Sequence, residues 1–448
     1  MSFSPSCPVR VRFMGAAAVV LAGALAVLAL ADPPARSQAP PWTQPSDDEL
    51  RAALSRVPVV GIDDEKPNPS ADVNKKRLLS VAEASRQRTT AQNPDGFVRQ
   101  LIATRSDLAG LPFRMGKDCV ATKAHAQVLE SLADRTRFAL RVAQEAGDGR
   151  QRGEKRPDFG LFWGLLEDWE TLRLPKTTDM LPALQQLLVV ESPAARSELV
   201  GFLRQRTGPE TSVALAQRVV FDLDAQIRQQ ALAALKARPV EEYAQVLVDA
   251  LRYPWAPVAG RAAEAMVSLN LKQLTPKLVD ALATADPTEP FVMDFLGNKV
   301  HQVRELVRVN HLNNCMLCHP ASTDTKDLVR GRVPIPGETP PPPGSYGSNP
   351  DGIVVRADVT YLRQDFSLME KVAEHGTFPE MQRFDYFVRT RRLTEAELEA
   401  WQARQKNAAA RPLSQQRQAI LFALRELTGR DVGTTAAAWR QVVRTTRP

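Results

Sequence analysis

Two stretches of this chain align with one another without a gap. Asp224-Ala-Gln-Ile-Arg-Gln-Gln-Ala-Leu-Ala-Ala-Leu235 lies over Trp255-Ala-Pro-Val-Ala-Gly-Arg-Ala-Ala-Glu-Ala-Met266, which puts Ile227 over Val258, Ala231 over Ala262 and Leu235 over Met266. Ala195, Leu199 and Leu203 make a fainter copy one repeat earlier. A period of about 31 residues has room for one helical pair, and one pair cannot bury its apolar face alone. The copies must therefore stack on each other. Alanines let paired helices approach closely, and the large aliphatic side chains fill the seam between pairs.

The recurring polar turn, arginine and Ala-rich second helix resemble the HEAT-type repeat. The resemblance covers about a quarter of the chain and implies a short helical solenoid over residues 180–285, which serves either as a docking surface for other proteins or as a rigid spacer. With 448 residues, the chain is long enough for two or three domains.

The N-terminus carries an export signal. Arg10 and Arg12 precede an uncharged run of apolar and small residues from Phe13 to Ala31, which closes on Ala29-Leu30-Ala31. This pattern predicts a signal peptide over residues 1–31, cleaved after Ala31, and a periplasmic or otherwise exported body. Left uncleaved, the same run is long enough to anchor the protein in a membrane. Residues 32–74, with Pro33, Pro34, Pro40, Pro41 and Pro45, read as a flexible linker. Residues 75–179 form an N-terminal helical region by the spacing of Val98, Leu101, Ile102, Val128, Leu129 and Leu132. In that region Cys119 and His125 make no known ligand set and read as a buried thiol and an ordinary histidine; Trp163 and Trp169 read as packing residues.

After Pro287 and Pro290 the sequence changes character. A helix-like run from Lys299 to Asn310 leads into His311-Leu-Asn-Asn-Cys315-Met-Leu-Cys318-His319. The Cys-x-x-Cys-His order is that of covalent haem attachment: two thiols add to the two porphyrin vinyl groups, and the histidine that follows is placed to ligate the iron. A redox dithiol would want a βαβ setting, and a zinc site a fourth ligand at matching spacing; neither pattern is present. The chain holds 4 cysteines, of which Cys7 leaves with the leader and Cys119 stands alone, so the arithmetic allows one haem and no disulfide framework.

Leu296 to Gln405 resembles a c-type cytochrome module, in which the haem follows an N-terminal helix. The resemblance implies a distal methionine ahead of a final helix. Met381 fits that place, because Leu393-Thr394-Glu395-Ala396-Glu397 opens a helix with a capping threonine and a glutamate three residues later. His375 and Met369 are its rivals, and an open iron is the remaining option. Val333 to Gly344 is a Pro-rich insertion, followed by a short strand around Ile353, Val354 and Val355. Two helices, near Gln418–Leu427 and Thr435–Val443, close the chain; the segment from Arg425 to Asp431 with Trp439 resembles bacterial repeat proteins that also carry haem motifs.

The expected fold is mainly α: a HEAT-like solenoid over 180–285, a cytochrome c-like haem module over 296–405 with a Pro-rich insertion, and C-terminal helices over 412–448. The expected function is single-electron transfer through one covalent haem c at Cys315, Cys318 and His319, with Met381 as the second iron ligand and redox proteins as partners. A protein-binding scaffold with a structural or sensory haem, and a haem peroxidase with open iron, are the alternatives. No carboxylate pair, nucleophile triad, phosphate loop or metalloprotease helix is present, which disfavours a hydrolase. The formal charge of +7 is spread along the chain, which argues against nucleic acid as a partner.

Overall fold

The computed structural model describes residues 40–43, 45–61, 192–295, 297–319, 330–333, 353–356, 365–375, 378–405 and 413–445, with a few isolated positions besides. The expected leader, nearly all of 75–179 with Cys119, His125, Trp163 and Trp169, and most of the Pro-rich insertion lie outside the described residues. The described part is mainly helical with a small antiparallel sheet. Among the described residues no helix is long and apolar enough to cross a membrane.

Part of the expected linker is folded. Residues Asp47–Leu54 form α1, started by a capping box in which Glu49 N donates to Ser46 Oγ and the Glu49 carboxylate accepts from Ser46 N. Leu50 and Leu54, one turn apart, are buried in the common core. Upstream, Trp42 donates its indole N–H to Glu264 at 3.0 Å and meets Phe422 edge-on at 5.3 Å. It can lie there because position 260 is glycine, where a Cβ would stand 3.0 Å from the indole nitrogen. Proline content marked this stretch as extended, but a capped apolar turn and one aromatic anchor are enough to hold it.

Helices form over the aligned segments. They are α2 (Pro193–Gln205), α3 (Pro209–Phe221), α4 (Ala225–Leu235), α5 (Val240–Ala250), α6 (Ala256–Ser268) and α7 (Thr275–Ala283). The aligned starts Asp224 and Trp255 are both N-caps, and Asp224 accepts from Gln226 N and Ile227 N. Ile227, Ala231, Leu235, Val258, Ala262 and Met266 are all buried, as are Ala195, Leu199 and Leu203 of the fainter copy. Helix α2 packs on α4, α3 on α5 and α5 on α7, so consecutive pairs lie side by side.

The run from Lys299 to Asn310 is a strand, which corrects the helix expected there. The chain continues through β1 (Phe291–Phe295), β2 (Asn298–Asn310), the four-residue turn α8 (Cys315–Cys318), β3 (Arg330–Arg332), β4 (Val354–Arg356), β5 (Phe366–Lys371) and β6 (Met381–Arg392). The main sheet runs β1-β2-β6-β5, all antiparallel, and β3 pairs with β4 separately. The strand expected near 353–355 thus forms as β4. Val300, Val303 and Val307 satisfy helical spacing, but Val303, Val307 and Val309 also alternate. Nine residue pairs from Gln302↔Arg392 to Asn310↔Phe384 decide for the strand.

Three helices follow: α9 (Glu395–Gln405), α10 (Gln415–Thr428) and α11 (Ala436–Thr445). The capping box read from Thr394 and Glu397 is present, with Glu397 N donating to Thr394 Oγ1 at 3.3 Å and Thr394 N to the Glu397 carboxylate at 2.9 Å. Arg391 and the Thr394 amide hold the Glu397 carboxyl down at about 2. Helix α10 packs on α6 and α7, and α11 packs on α7. The C-terminal helices thus pack against α6 and α7, and the sheet lies between them in sequence.

One face of the sheet joins the helices. Tyr386 stacks on Phe366 at 4.7 Å, and the other side of Phe366 meets Phe221 and Trp255, each at 5.6 Å. Tyr253 donates to Asp365 at 2.9 Å beside this stack. Replacing Phe366→Ala should cost about 3–5 kcal/mol. Urea unfolding followed by helical circular dichroism and by tryptophan fluorescence should give one coincident transition, shifted to lower urea in the variant.

Candidate haem-attachment site

The Cys-x-x-Cys-His stretch closes the end of β2, and Asn310 shapes the turn into it. Asn310 is buried; its Oδ1 accepts from Leu312 N at 3.0 Å and Asn313 N at 3.3 Å, and its Nδ2 donates to Gln382 Oε1 at 2.8 Å. Such an Asx turn gives an isolated strand end a fixed exit direction. Asn314 donates from Nδ2 to the Asn310 carbonyl at 3.0 Å and precedes α8. Within α8, Leu317 N donates to the Asn314 carbonyl and His319 N to the Cys315 carbonyl at 2.8 Å.

This winding puts positions 315 and 318 one helical turn apart, with His319 leaving in extended conformation directly after. Met316 and Leu317, the two residues between the cysteines, are buried, while His319 is partly exposed. The Cys315 sulfur is tied back to the carbonyls of His311 at 3.7 Å and Leu312 at 3.6 Å, and burial pushes its thiol up to about 12. A thiol so held is disfavoured as a thiolate, the form an attacking redox cysteine uses. The residue set suits a covalently held porphyrin in kind and order: two cysteine positions a turn apart and a histidine next. Among the described residues no three His, Cys, Asp or Glu side chains gather to hold a bare metal ion. A porphyrin brings four nitrogens of its own, so one or two protein ligands suffice.

The three candidate distal ligands fall on one hairpin. Met369 pairs with Arg383 and Met381 with Lys371, so alternation puts both methionines on the face that carries Arg383 and Asp385. Phe384 and Tyr386 point to the other face, toward the helices. His375 lies in the connection between β5 and β6 and donates from Nδ1 to the Phe378 carbonyl at 2.6 Å. Met381, the first residue of β6, is 46% exposed. His311 N donates to the Arg383 carbonyl at 2.9 Å, which brings the start of β6 alongside the turn that leads to Cys315.

Sequence reasoning missed a polar cluster beside this turn. His311 shares a hydrogen bond of 2.9 Å from Nδ1 to Asp385 Oδ2, and Asp385 Oδ1 accepts from Ser367 Oγ at 2.5 Å and Arg383 Nε at 2.7 Å. Asp385 is buried. Burial alone would raise its carboxyl, but Arg383, His311 and Ser367 outweigh that and hold it well below the usual carboxylate range. No local motif links His311 to Asp385; they meet because β2 and β6 pair in the register that sets Val309 opposite Asp385.

Comparison with protein families, with curated proteins and with solved structures finds no match.

The depressed carboxyl fixes the sign of a pH effect. Its stabilisation is complete above the unfolded carboxyl value near 3.9 and is lost as pH falls through the folded value. Asp385→Asn should therefore be about 3–5 kcal/mol less stable than wild type at pH 7, because a buried partner is removed. The gap should narrow steadily below about pH 4 in urea titrations.

Proposed function

We propose that this protein is an exported single-electron carrier with one haem c joined through Cys315 and Cys318, His319 as proximal iron ligand and Met381 as distal ligand. The observation that carries this reading is the single wound turn that sets the two cysteine positions one turn apart with an imidazole immediately after, held by Asn310 and Asn314 at the end of a sheet. Bound there, a haem supplies a one-electron couple. His319 would bind the iron and orient the ring; buried Met316 and Leu317 close the inner side of the turn; and the β5–β6 hairpin would offer a thioether from the neighbouring strand. Met369 and His375 on the same hairpin compete with Met381 for the distal role. The export reading rests on the leader over residues 1–31, and covalent haem attachment belongs to the same compartment.

The scaffold reading is that of a HEAT-like solenoid, supported by the burial of the aligned Ile227 and Val258, Ala231 and Ala262, Leu235 and Met266, and by the side-by-side packing of successive helices. The C-terminal helices α10 and α11 pack on α6 and α7, so the haem-bearing segment lies in sequence between helices of one stack. Partner redox proteins would then meet the exposed end of the sheet around Met381, with the helical pairs as a second docking surface.

Expression of the full chain in a host that matures c-type haem should yield one covalent haem per chain by pyridine haemochrome. Replacement of both Cys315 and Cys318 by alanine should abolish it. Low-spin spectra with a thioether charge-transfer band, lost in Met381→Ala and kept in Met369→Ala and His375→Ala, would support the ligand assignment. A high-spin spectrum in wild type would favour the open-iron peroxidase instead, and the absence of covalent haem would end the electron-transfer reading.

A further inference from the structure

Beyond α1 the chain runs along the sheet at the end where the Cys315–His319 turn sits. Strand β1 pairs with β2 only from Asn298 to Gln302, and further along that strand residues 58–60 run beside Arg308. Val60 N donates to the Arg308 carbonyl at 2.9 Å, and Arg308 N donates to the Pro58 carbonyl at 3.0 Å. The Arg308 side chain completes a clamp: Nε donates to the Val57 carbonyl at 3.0 Å, Nη2 to the Ser55 carbonyl at 2.7 Å, and Nη1 pairs with Glu370. This strap ends against the turn itself. Gly61 abuts Asn314, and a Cβ added at position 61 would stand 2.3 Å from Asn314 Oδ1. Asn314 is buried, is bonded to the Asn310 carbonyl, and supplies the carbonyl that Leu317 N meets. Displacing it therefore loosens the first hydrogen bond of α8.

We propose that residues 55–61 are a latch on the attachment turn. Seated, the strap keeps α8 wound and the Cys315 thiol tied back to its own chain; lifted, it lets the turn open and frees that thiol to react. The partner chemistry is a carbon that a thiol can add to, such as an alkene. For a vinyl group, the thiol adds across the double bond, one S–C bond forms and the thiol proton ends on the neighbouring carbon, so no oxidant or reductant is consumed. The proposal rests on the haem reading for what the thiol meets, and its test does not.

The strap joins residues far from the cysteines in sequence, so it can be disturbed without touching them. Val60→Pro removes the amide that Arg308 accepts from, and Gly61→Ala pushes on Asn314 while leaving the Arg308 clamp in place. The full chain, made without haem, is treated with iodoacetamide under native conditions, and Cys315 modification is read by peptide mass mapping, separately from Cys318 and Cys119. Both variants should modify Cys315 about tenfold faster than wild type, the consequence of losing roughly one hydrogen bond from the closed state. Helical circular dichroism should stay unchanged. Equal rates in wild type and both variants overturn the latch, and so does a rise that merely follows loss of helical signal. Failure of the haem reading would show separately, as missing covalent haem, and would leave the alkylation result standing.

Discussion

The stack of Phe366 on Tyr386, backed by Phe221 and Trp255, is the contact on which the rest depends. Helical pairs and an antiparallel sheet have different surface shapes, and flat rings at about 5 Å are a way to join them without voids. Because Phe366 lies on β5 and Tyr386 opposite it on β6, the stack also fixes the register of the hairpin. That register decides which face Met369, Arg383, Asp385 and Met381 share. The geometry of the candidate site is therefore set partly by aromatic packing on the opposite face of the sheet.

Polar groups do the local work. Asn310 sits at the last paired position of β2, ties the departing turn to itself and reaches across to Gln382. Asp385 collects Arg383, Ser367 and His311 from three strands and their connections. Buried polar networks are costly unless every member is satisfied, and a satisfied one specifies a single arrangement. Here that arrangement is the path of the chain into Cys315. The strap around Arg308 adds a second constraint from a part of the chain that composition alone marks as linker.

The helices over the aligned segments were legible because their signal is local and redundant: Ile227 and Val258, Ala231 and Ala262, Leu235 and Met266 each fall at the same place in a helix, and all six are buried. The capping box at Thr394 is equally local. The run from Lys299 to Asn310 was not legible, because valines at 300, 303, 307 and 309 suit a helix and a strand alike. The choice belongs to β6, whose partner residues lie 74 to 90 positions away. His311 with Asp385, and Gly61 with Asn314, were invisible for the same reason: each pair is a product of strand pairing between distant segments.

By itself the sequence determined the helical character of the aligned segments, the Thr394 cap and the order of cysteines and histidine in Cys315-Met316-Leu317-Cys318-His319, since each depends on neighbours within a turn or two of helix. The tertiary structure alone decided that this motif ends a strand, that the three candidate distal ligands share one hairpin, and that the C-terminal helices stack on α6 and α7 across an inserted sheet. The physical reason is that strand register and helix stacking are fixed by contacts between segments far apart in the chain, where no local preference of the residues involved chooses the partner.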